Sequence, residues 1–260
     1  MINEQNAQRA RQHTLEMNNR LGFLIDKAVE KTKVYSPDTS ITNPLMHQRT
    51  KIILDDIDTV SAIFKYHVDK TAALNFASYK EPGGKYLEGS MAQEESLCSK
   101  SNLYNILSKF SSYYEWNNEH KNLGLYTNRA LYTPEVVFED TKQAQTCDVI
   151  TCAAPNWRSA GMYGRATKEE NIKALSSRIN FVLKIAREQK VDILILGAYG
   201  CGVFGQSAKA VATIFKTYID ESYQCFDTIV FAIPDKNSID YKEFNEVLFK
   251  TDHKEPTSLF

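Results

Sequence analysis

The chain has 260 residues, and its 31 basic and 32 acidic side chains give a formal net charge of -1 at pH 7. A near-neutral balance provides no global field that would attract nucleic acid or an acidic membrane, so any anionic ligand must be bound by a local site. Hydrophobic residues make up 43% and charged residues 24% of the chain, a globular composition that excludes disorder and fibrous structure. No Pro-, Gly- or Ser-rich linker divides the sequence, which predicts a single domain over residues 1–260.

The sequence shows no sign of a targeting or membrane segment. Its first residues lack the apolar run of a signal peptide, and no stretch reaches roughly 18 consecutive apolar residues. The five cysteines are odd in number and scattered, with no Cys-x-x-Cys spacing for zinc or a redox pair. We expect a cytoplasmic protein with reduced cysteines, no membrane association and no direct binding to nucleic acid.

Hydrophobic periodicity predicts the elements in chain order. Residues 7–32 predict one or two amphipathic helices, within an N-terminal helical cap of about residues 1–45. Further strands or extended segments are predicted at 51–54, 71–77, 134–138, 148–153, 192–196 and 228–233. Further helices are predicted at 59–67, 93–110, 169–189 and 207–220. The alternation of strands and helices predicts an α/β fold with helices on both sides of a mixed sheet.

A glycine-rich loop occupies residues 200–205, between a predicted strand and a predicted helix. Glycines allow a ligand to approach the backbone, and free amides in such a loop can bind phosphate without net basic charge. The pattern Gly-x-Gly-x-x-Gly also occurs in dinucleotide-binding folds, but those folds need several strands after it and only one clear strand follows here. A tight turn without a ligand is the other interpretation.

A second loop, residues 81–95, contains Gly83 and Gly84 and ends in two adjacent carboxylates, Glu94 and Glu95. Both loops follow strands, so both should lie at the carboxyl ends of strands, where open α/β sheets bind ligands. Adjacent helical residues point about 100° apart, so one carboxylate is expected to face the reacting bond and the other to orient the sugar or its partner. The alternative is structural, because the helix macrodipole stabilises acidic residues in a first turn by about 0.3–1 kcal/mol.

Cys201 is a third candidate, because a thiolate close to a helix N-terminus could act as a nucleophile. No histidine falls in a motif that would pair with it, and a buried structural cysteine is the commoner outcome. The sequence also lacks the signatures of serine hydrolases, zinc proteases and P-loop nucleotide triphosphatases.

Five segments of the sequence carry a family resemblance. They are Leu74-Asn-Phe-Ala-Ser78, Pro82-Gly-Gly with Gln93-Glu-Glu95, Tyr132-Thr-Pro-Glu-Val-Val-Phe138, Ala153-Ala-Pro-Asn156 and Leu196-Gly-Ala-Tyr-Gly-Cys-Gly-Val-Phe-Gly205. In these segments and their order the chain resembles the microbial-type poly(ADP-ribose) glycohydrolases, a branch of the macrodomain ADP-ribosyl hydrolases. The resemblance implies a three-layer α/β/α macrodomain-like mixed sheet with extra N-terminal helices.

The resemblance also implies roles for individual residues. Glu95 matches the family's catalytic glutamate and Glu94 its helper at the ribose, while the loop 200–205 matches the diphosphate-binding loop, with Phe204 near the distal ribose. The expected substrate-binding residues are Asn75, Ser78, Gly83, Gly84, Lys85, Gln93, Gly200, Cys201, Gly202, Val203, Phe204 and Gly205.

The expected reaction is hydrolysis of the glycosidic bond at the distal ribose of poly(ADP-ribose), which releases ADP-ribose. An oxocarbenium-like transition state calls for a carboxylic acid that protonates the departing oxygen and then, as carboxylate, activates water. Glu95 is expected to do both, without a metal or a cofactor. Expected partners are ADP-ribose, poly(ADP-ribose) or an ADP-ribosylated protein. A mono-ADP-ribosyl-protein hydrolase and a non-catalytic ADP-ribose reader are the alternatives.

Two positions depart from the family pattern. Lys85 stands where a third glycine is usual, and Glu88 stands where a small or amide residue is common. The side chain of Lys85 is expected either to crowd the distal ribose or to point outward to a phosphate or the substrate protein. For stacking on adenine, the sequence offers Tyr79, Tyr86 and Phe231 as candidates.

Overall fold

A computed structural model describes residues 3–41 and 49–250 of the chain; the last part of the predicted cap, from residue 42, lies outside these ranges. The helices within them are α1 (Glu4–Lys31), α2 (Thr59–Lys65), α3 (Gln93–Ser99), α4 (Leu103–Leu107), α5 (Ser111–Glu119), α6 (Trp157–Met162), α7 (Lys168–Glu188), α8 (Ala208–Ser222) and α9 (Ile239–Phe249). The strands are β1 (Lys33–Tyr35), β2 (Lys51–Asp55), β3 (Thr71–Phe76), β4 (Ala130–Glu139), β5 (Ala144–Cys152), β6 (Ile193–Leu196) and β7 (Thr228–Ala232).

The described strands form one sheet in the order β1-β4-β5-β3-β6-β7-β2. All neighbours from β5 to β2 are parallel, whereas β1 and β4 run antiparallel to their neighbours, so the predicted mixed sheet is confirmed. Because β3 and β6 are adjacent and parallel, the loops that follow them leave the sheet side by side at its carboxyl edge.

Alternate residues of the central strands face two separate hydrophobic cores. Ala72 and Leu74 of β3 pack in the core that is covered by α7, α8 and α9, whereas Ala73 packs in the core that contains residues of α1 to α5. The three-layer α/β/α arrangement is therefore confirmed. None of the helices in the described ranges combines the length and the hydropathy of a membrane span.

The prediction of one helix over residues 93–110 is wrong, because residues 100–102 interrupt it and pair with β4. Ser101 forms an isolated bridge with Phe138. The N–H of Asn102 donates to the carbonyl of Val137 at 3.2 Å, and its side-chain oxygen accepts from the N–H of Val137 at 3.0 Å. This contact with a strand distant in the sequence ends α3, and periodicity cannot show it.

The sequence also left four elements unpredicted: β1, α5, α6 and α9. β1 belongs to the segment predicted as a helical cap, but its three residues pair with β4 and form the edge of the sheet. α1 is one helix with a kink at Leu21, where φ is -117°, beside a glycine that favours bending.

Candidate active site

The predicted loop 81–95 belongs to the connection between β3 and α3, and the two glutamates lie in the first turn of that helix. Gln93 holds this junction together. Its side-chain oxygen accepts from the N–H of Phe76 at 2.9 Å, and its amide nitrogen donates to the carbonyl of Leu74 at 2.9 Å. Gln93 thereby fixes the start of α3 against the end of β3, and it also lines two neighbouring cavities.

Glu94 is a buried carboxyl with two donors and no basic partner among its hydrogen bonds. Its side chain is 3% exposed, and it accepts from the N–H of Ser78 at 2.6 Å and from the amide nitrogen of Asn75 at 3.1 Å. Burial raises the pKa of Glu94 to about 8, and neighbouring Glu95 adds to the rise, although the hydrogen bonds of Ser78 and Asn75 oppose it. The fold therefore favours the neutral form of Glu94 at pH 7.

Glu95 lies beside it and has one free carboxylate oxygen. Oε1 accepts from the N–H of Lys85 at 2.9 Å, and the residue is 7% exposed. The other oxygen, Oε2, makes no hydrogen bond within the described residues. Oε2 therefore has no protein partner in that part of the chain, and Glu95 is not among the residues that line the two neighbouring cavities.

Gly84 brings the two carboxylates to the same place on the loop. A Cβ atom at Gly84 would lie 2.7 Å from Oε1 of Glu95 and 3.0 Å from Oε2 of Glu94, and φ there is +57°. Only glycine fits this position without displacing the carboxylates. Gly83 is buried against the ring of Tyr104, which anchors the loop from its other side.

The side chain of Lys85 points outward, as one of the two alternatives predicted. Its φ of -103° needs no glycine, and its Nζ lies 3.1 Å from Oε2 of Glu88. The two positions that depart from the family pattern thus form an exposed ion pair with each other. The expectation that Lys85 crowds the distal ribose does not fit this arrangement.

The loop 200–205 follows β6 and presents backbone amides to a cavity. The N–H groups of Gly202, Val203 and Phe204 make no hydrogen bond within the described part of the chain, so they are free to bind an anion. The cavity has a volume of about 140 Å³ and is lined by Gly200, these three residues, Phe76 and Gln93, among others. Gly205 does not line this cavity; its N–H donates to the carbonyl of Gly202 at 3.2 Å and closes the turn.

Phe204 connects this loop to the carboxylates. Its ring packs against a cluster formed by Tyr79, Tyr126 and Ala153, and its centroid lies 6.0 Å from that of Tyr126 in an edge-on arrangement. Tyr79 is adjacent in sequence to Ser78, the residue whose N–H binds Glu94. Phe204 therefore links the loop 200–205 to the segment that follows β3.

Cys201 has no feature of a nucleophile. It packs against the hydrophobic core under the sheet, and burial raises the pKa of its thiol well above the usual range. The next helix, α8, begins only at Ala208, too far along the chain for its dipole to stabilise a thiolate. The structural alternative for this cysteine is the one that fits.

A larger cavity of about 310 Å³ adjoins the 140 Å³ cavity beside the loop 200–205. Both cavities are lined by Phe76, Ala92, Gln93 and Ala198, so they form one cleft across the carboxyl ends of β3, β6, β7 and β2. Asp58 and Asp240 add carboxylates at the far end of this cleft. Sequence reasoning missed these residues, although their positions shortly after β2 and β7 are a signal that could have found them.

The three aromatic candidates for stacking on adenine do not line the cleft. Tyr79, Tyr86 and Phe231 are all buried, and none of them lines either cavity of the cleft. The side chain of Tyr79 is occupied by Tyr126, with ring centroids 4.1 Å apart. Phe76 is the aromatic residue that lines both cavities.

The fold has three layers, with helices on both sides of one sheet. A loop with free amides and two buried glutamates lie at the same edge of that sheet, an arrangement typical of hydrolases of the macrodomain type. The family model for the microbial-type PARG catalytic domain matches residues 2–140. The match covers more than half of this chain, so the chain belongs to the microbial-type poly(ADP-ribose) glycohydrolases. The resemblance in its motifs is confirmed.

Solved structures agree with this assignment. The poly(ADP-ribose) glycohydrolase from Thermomonospora curvata is 27% identical, with 94% of this chain and 99% of that chain covered and a TM-score of 0.84. The structure of the same enzyme bound to the inhibitor ADP-HPD has a TM-score of 0.81, with the same identity and coverage. The glycohydrolase from Deinococcus radiodurans in complex with ADP-ribose is 26% identical, with 86% of this chain and 96% of that chain covered and a TM-score of 0.77. Curated protein sequences gave no match.

Proposed function

We propose that Glu95 is the catalytic residue of this poly(ADP-ribose) glycohydrolase and that it protonates the oxygen departing from the distal ribose. The observation that carries the proposal is the free oxygen of Glu95, in a buried site where the second oxygen is fixed by the N–H of Lys85. A carboxyl held in this way can act first as general acid and then, as carboxylate, as the base that activates water.

The cleft supports one direction of binding for the ADP-ribose unit. The diphosphate would lie on the free amides of Gly202, Val203 and Phe204, where backbone dipoles compensate its charge. The adenosine would fill the 310 Å³ cavity, where Phe76 offers a ring and Asp58 or Asp240 a carboxylate for the adenine amino group. The distal ribose would then lie between Phe204 and the two glutamates.

Glu94 has a supporting task in this proposal. Its hydrogen bonds to Asn75 and Ser78 keep it in place beside the ribose, where it can orient a hydroxyl group of the sugar. Because burial favours its neutral form, Glu94 does not place a second negative charge close to the substrate diphosphate at neutral pH.

The test is the release of ADP-ribose from poly(ADP-ribose) by the wild type and by Glu95→Gln. Turnover should fall by about 10²–10⁴-fold, the usual contribution of a general acid, while the Kd for ADP-ribose measured by calorimetry stays within a few-fold. Glu88→Gln is the matched control, since it removes an exposed carboxylate from the same loop and should keep full turnover. Retained turnover in Glu95→Gln would contradict the role assigned to Glu95.

ADP-ribosylated proteins as partners stay a prediction of the sequence, as does a cytoplasmic place of action. The same assay with a mono-ADP-ribosylated protein tests the first. Release from that substrate as well as from polymer would show that the enzyme accepts a single protein-linked unit.

A further inference from the structure

Residues 156–166, which include α6, form an exposed surface beside the glycine loop. The segment carries two arginines and no carboxylate. The N–H of Arg158 donates to the carbonyl of Phe204 at 2.9 Å, and a Cβ atom at Gly205 would lie 3.4 Å from the Cβ of Arg158. This segment, called the α6 surface below, is therefore attached to the part of the loop that is proposed to lie beside the distal ribose.

The two arginines of the α6 surface have no acidic partner. Arg158 and Arg165 are exposed, and neither forms an ion pair within the described residues. The guanidinium group of Arg165 lies 4.7 Å from the centroid of the Tyr163 ring, so these two side chains stack. Guanidinium groups without a carboxylate bind phosphate by charge-assisted hydrogen bonds. The α6 surface therefore has the chemistry of a site for a phosphate ester.

The α6 surface also exposes apolar side chains to solvent. Met162 is 69% exposed and Tyr163 is 65% exposed, and adjacent exposed side chains of this kind are typical of binding surfaces. An aromatic ring beside arginines is a platform on which a nucleobase can stack. The arginines and the ring together match the two parts of a nucleoside diphosphate.

The α6 surface borders a basic cavity of about 480 Å³. Three of the residues that line this cavity are cations, namely Arg165, Lys173 and Arg178. Glu170 is the one carboxylate among its described lining residues, and its side chain accepts from the N–H of Thr167 at 2.7 Å. Tyr126 lines the cavity as well, and its ring packs against Phe204. Positive potential therefore extends from the neighbourhood of Phe204 over the α6 surface.

The reaction determines which part of the substrate reaches this surface. The bond that is cleaved joins the anomeric carbon of the distal ribose to an oxygen of the next ADP-ribose unit, so the rest of the polymer departs with that oxygen. With the diphosphate on the loop 200–205 and the adenosine in the 310 Å³ cavity, the polymer continues from the distal ribose. Phe204, beside that ribose in the proposed binding mode, is the residue whose carbonyl binds Arg158.

We infer that the α6 surface binds the ADP-ribose unit on the departing side of the cleaved bond, with Arg158 and Arg165 on its diphosphate and Tyr163 on its adenine. The inference rests on the proposed function, because it needs a terminal unit in the cleft with its distal ribose toward Phe204. The α6 surface then contributes to the binding of polymer and not to the binding of free ADP-ribose. A nucleotide leaving group should consequently be bound better than a small one.

The test compares poly(ADP-ribose) with ADP-ribose that carries a para-nitrophenyl group on the distal anomeric oxygen, a substrate with no nucleotide on the departing side. Both are assayed with Arg158→Gln, Arg165→Gln and the double variant. We expect the double variant to raise KM for polymer by about tenfold, as for two lost charge-assisted contacts. The kcat/KM for the nitrophenyl substrate and the Kd for ADP-ribose should stay within about twofold. Melting temperatures should match the wild type, since both side chains are exposed.

Arg9→Gln is the matched control, since Arg9 is an exposed arginine on α1 that lines neither the cleft nor the basic cavity. An equal rise in KM for this control, or an equal loss on the nitrophenyl substrate, would overturn the inference. So would a loss confined to a mono-ADP-ribosylated protein, because the α6 surface would then bind the substrate protein and not the polymer. Failure of the wild type to hydrolyse either substrate would instead contradict the proposed function.

Discussion

Glu94 is unusual because the fold buries it without a cation, beside a second glutamate. The side-chain oxygen of its neighbour Asn75 is buried and has no hydrogen-bond partner. A half-turn of the Asn75 amide would present that oxygen to Glu94, so a protonated Glu94 could donate to it. Asn75 can therefore satisfy either protonation state of this carboxyl.

Replacing Glu94 with Gln should change how stability depends on pH. A glutamate in the unfolded chain ionises near 4.5, whereas Glu94 keeps its proton in the folded chain up to a pKa of about 8. The raised pKa stabilises the fold below pH 4.5, and this contribution is lost as the pH rises to 8, by up to about 1.4 kcal/mol per pH unit. Glu94→Gln should thus exceed the wild type in unfolding free energy at pH 9, with the difference smallest near pH 4.5.

Chemical denaturation at four pH values between 4.5 and 9 measures this difference. Glu119→Gln, at an exposed glutamate in α5, provides the control for a general charge effect. A constant difference between Glu94→Gln and the wild type at all pH values would show that the proton of Glu94 is not linked to folding.

Lys85 contributes to the site through its backbone and not through its side chain. Its N–H binds Glu95, while its ammonium group forms an exposed ion pair, a type of pair that contributes only about 0–1 kcal/mol. We expect Lys85→Ala to keep kcat/KM on polymer within about threefold of the wild type. Steady-state kinetics measures this ratio. A loss of more than tenfold in kcat/KM would contradict the prediction and would indicate that the ammonium group contacts the substrate.

At the scale of elements, the two loops depend on glycine for different reasons. A Cβ at Gly84 would meet both carboxylates, whereas a Cβ at Gly202 would meet no protein atom within 4 Å. Gly84→Ala should therefore lower kcat by at least about 100-fold, because the added methyl group would displace the carboxylates.

Gly202→Ala should keep the fold but weaken ADP-ribose binding, because its methyl group would occupy the space proposed for the diphosphate.

Gly22→Ala is the control for these substitutions. It lies in α1 with no atom within 4 Å of its Cβ and lines neither cavity of the cleft, so it should leave the affinity for ADP-ribose unchanged. Unchanged ADP-ribose affinity in Gly202→Ala, measured by calorimetry, would argue against the glycine loop as the diphosphate site.

The sequence predicted those parts of the fold and the site that depend on local patterns. The central strands are apolar runs, and the two loops that follow β3 and β6 carry their glycines and glutamates within short segments. The part of the cleft proposed for adenosine was missed because Asp58, Phe76 and Asp240 come from distant segments that only the sheet order brings together. The sequence also could not show that Tyr79, Tyr86 and Phe231 are buried away from the cleft, because the local sequence around an aromatic residue does not indicate whether it faces a cleft or a core.

At the scale of the whole molecule, α1 packs against the loop 81–95, which precedes the proposed catalytic Glu95 and is called the catalytic loop below. The hydroxyl of Tyr86, next to Lys85 in that loop, lies 2.8 Å from Nδ1 of His13 and 3.2 Å from the carbonyl of Ala10. The family match also begins within this N-terminal segment, at residue 2. We propose that the chain forms a single domain in which the predicted cap is required for the site.

Tyr86→Phe tests this coupling between α1 and the catalytic loop. Loss of the hydroxyl removes its hydrogen bonds with His13 and with the carbonyl of Ala10 in a buried setting, and it should lower the unfolding free energy by about 1–3 kcal/mol. Tyr104→Phe is the control, because the Tyr104 ring packs on Tyr86 with centroids 5.3 Å apart but its hydroxyl makes no hydrogen bond within the described residues. If α1 positions the loop, Tyr86→Phe should also lower the rate of ADP-ribose release at temperatures well below its melting point, and Tyr104→Phe should not. Equal stability and equal rates for the two variants would mean that α1 packs on the loop without positioning it.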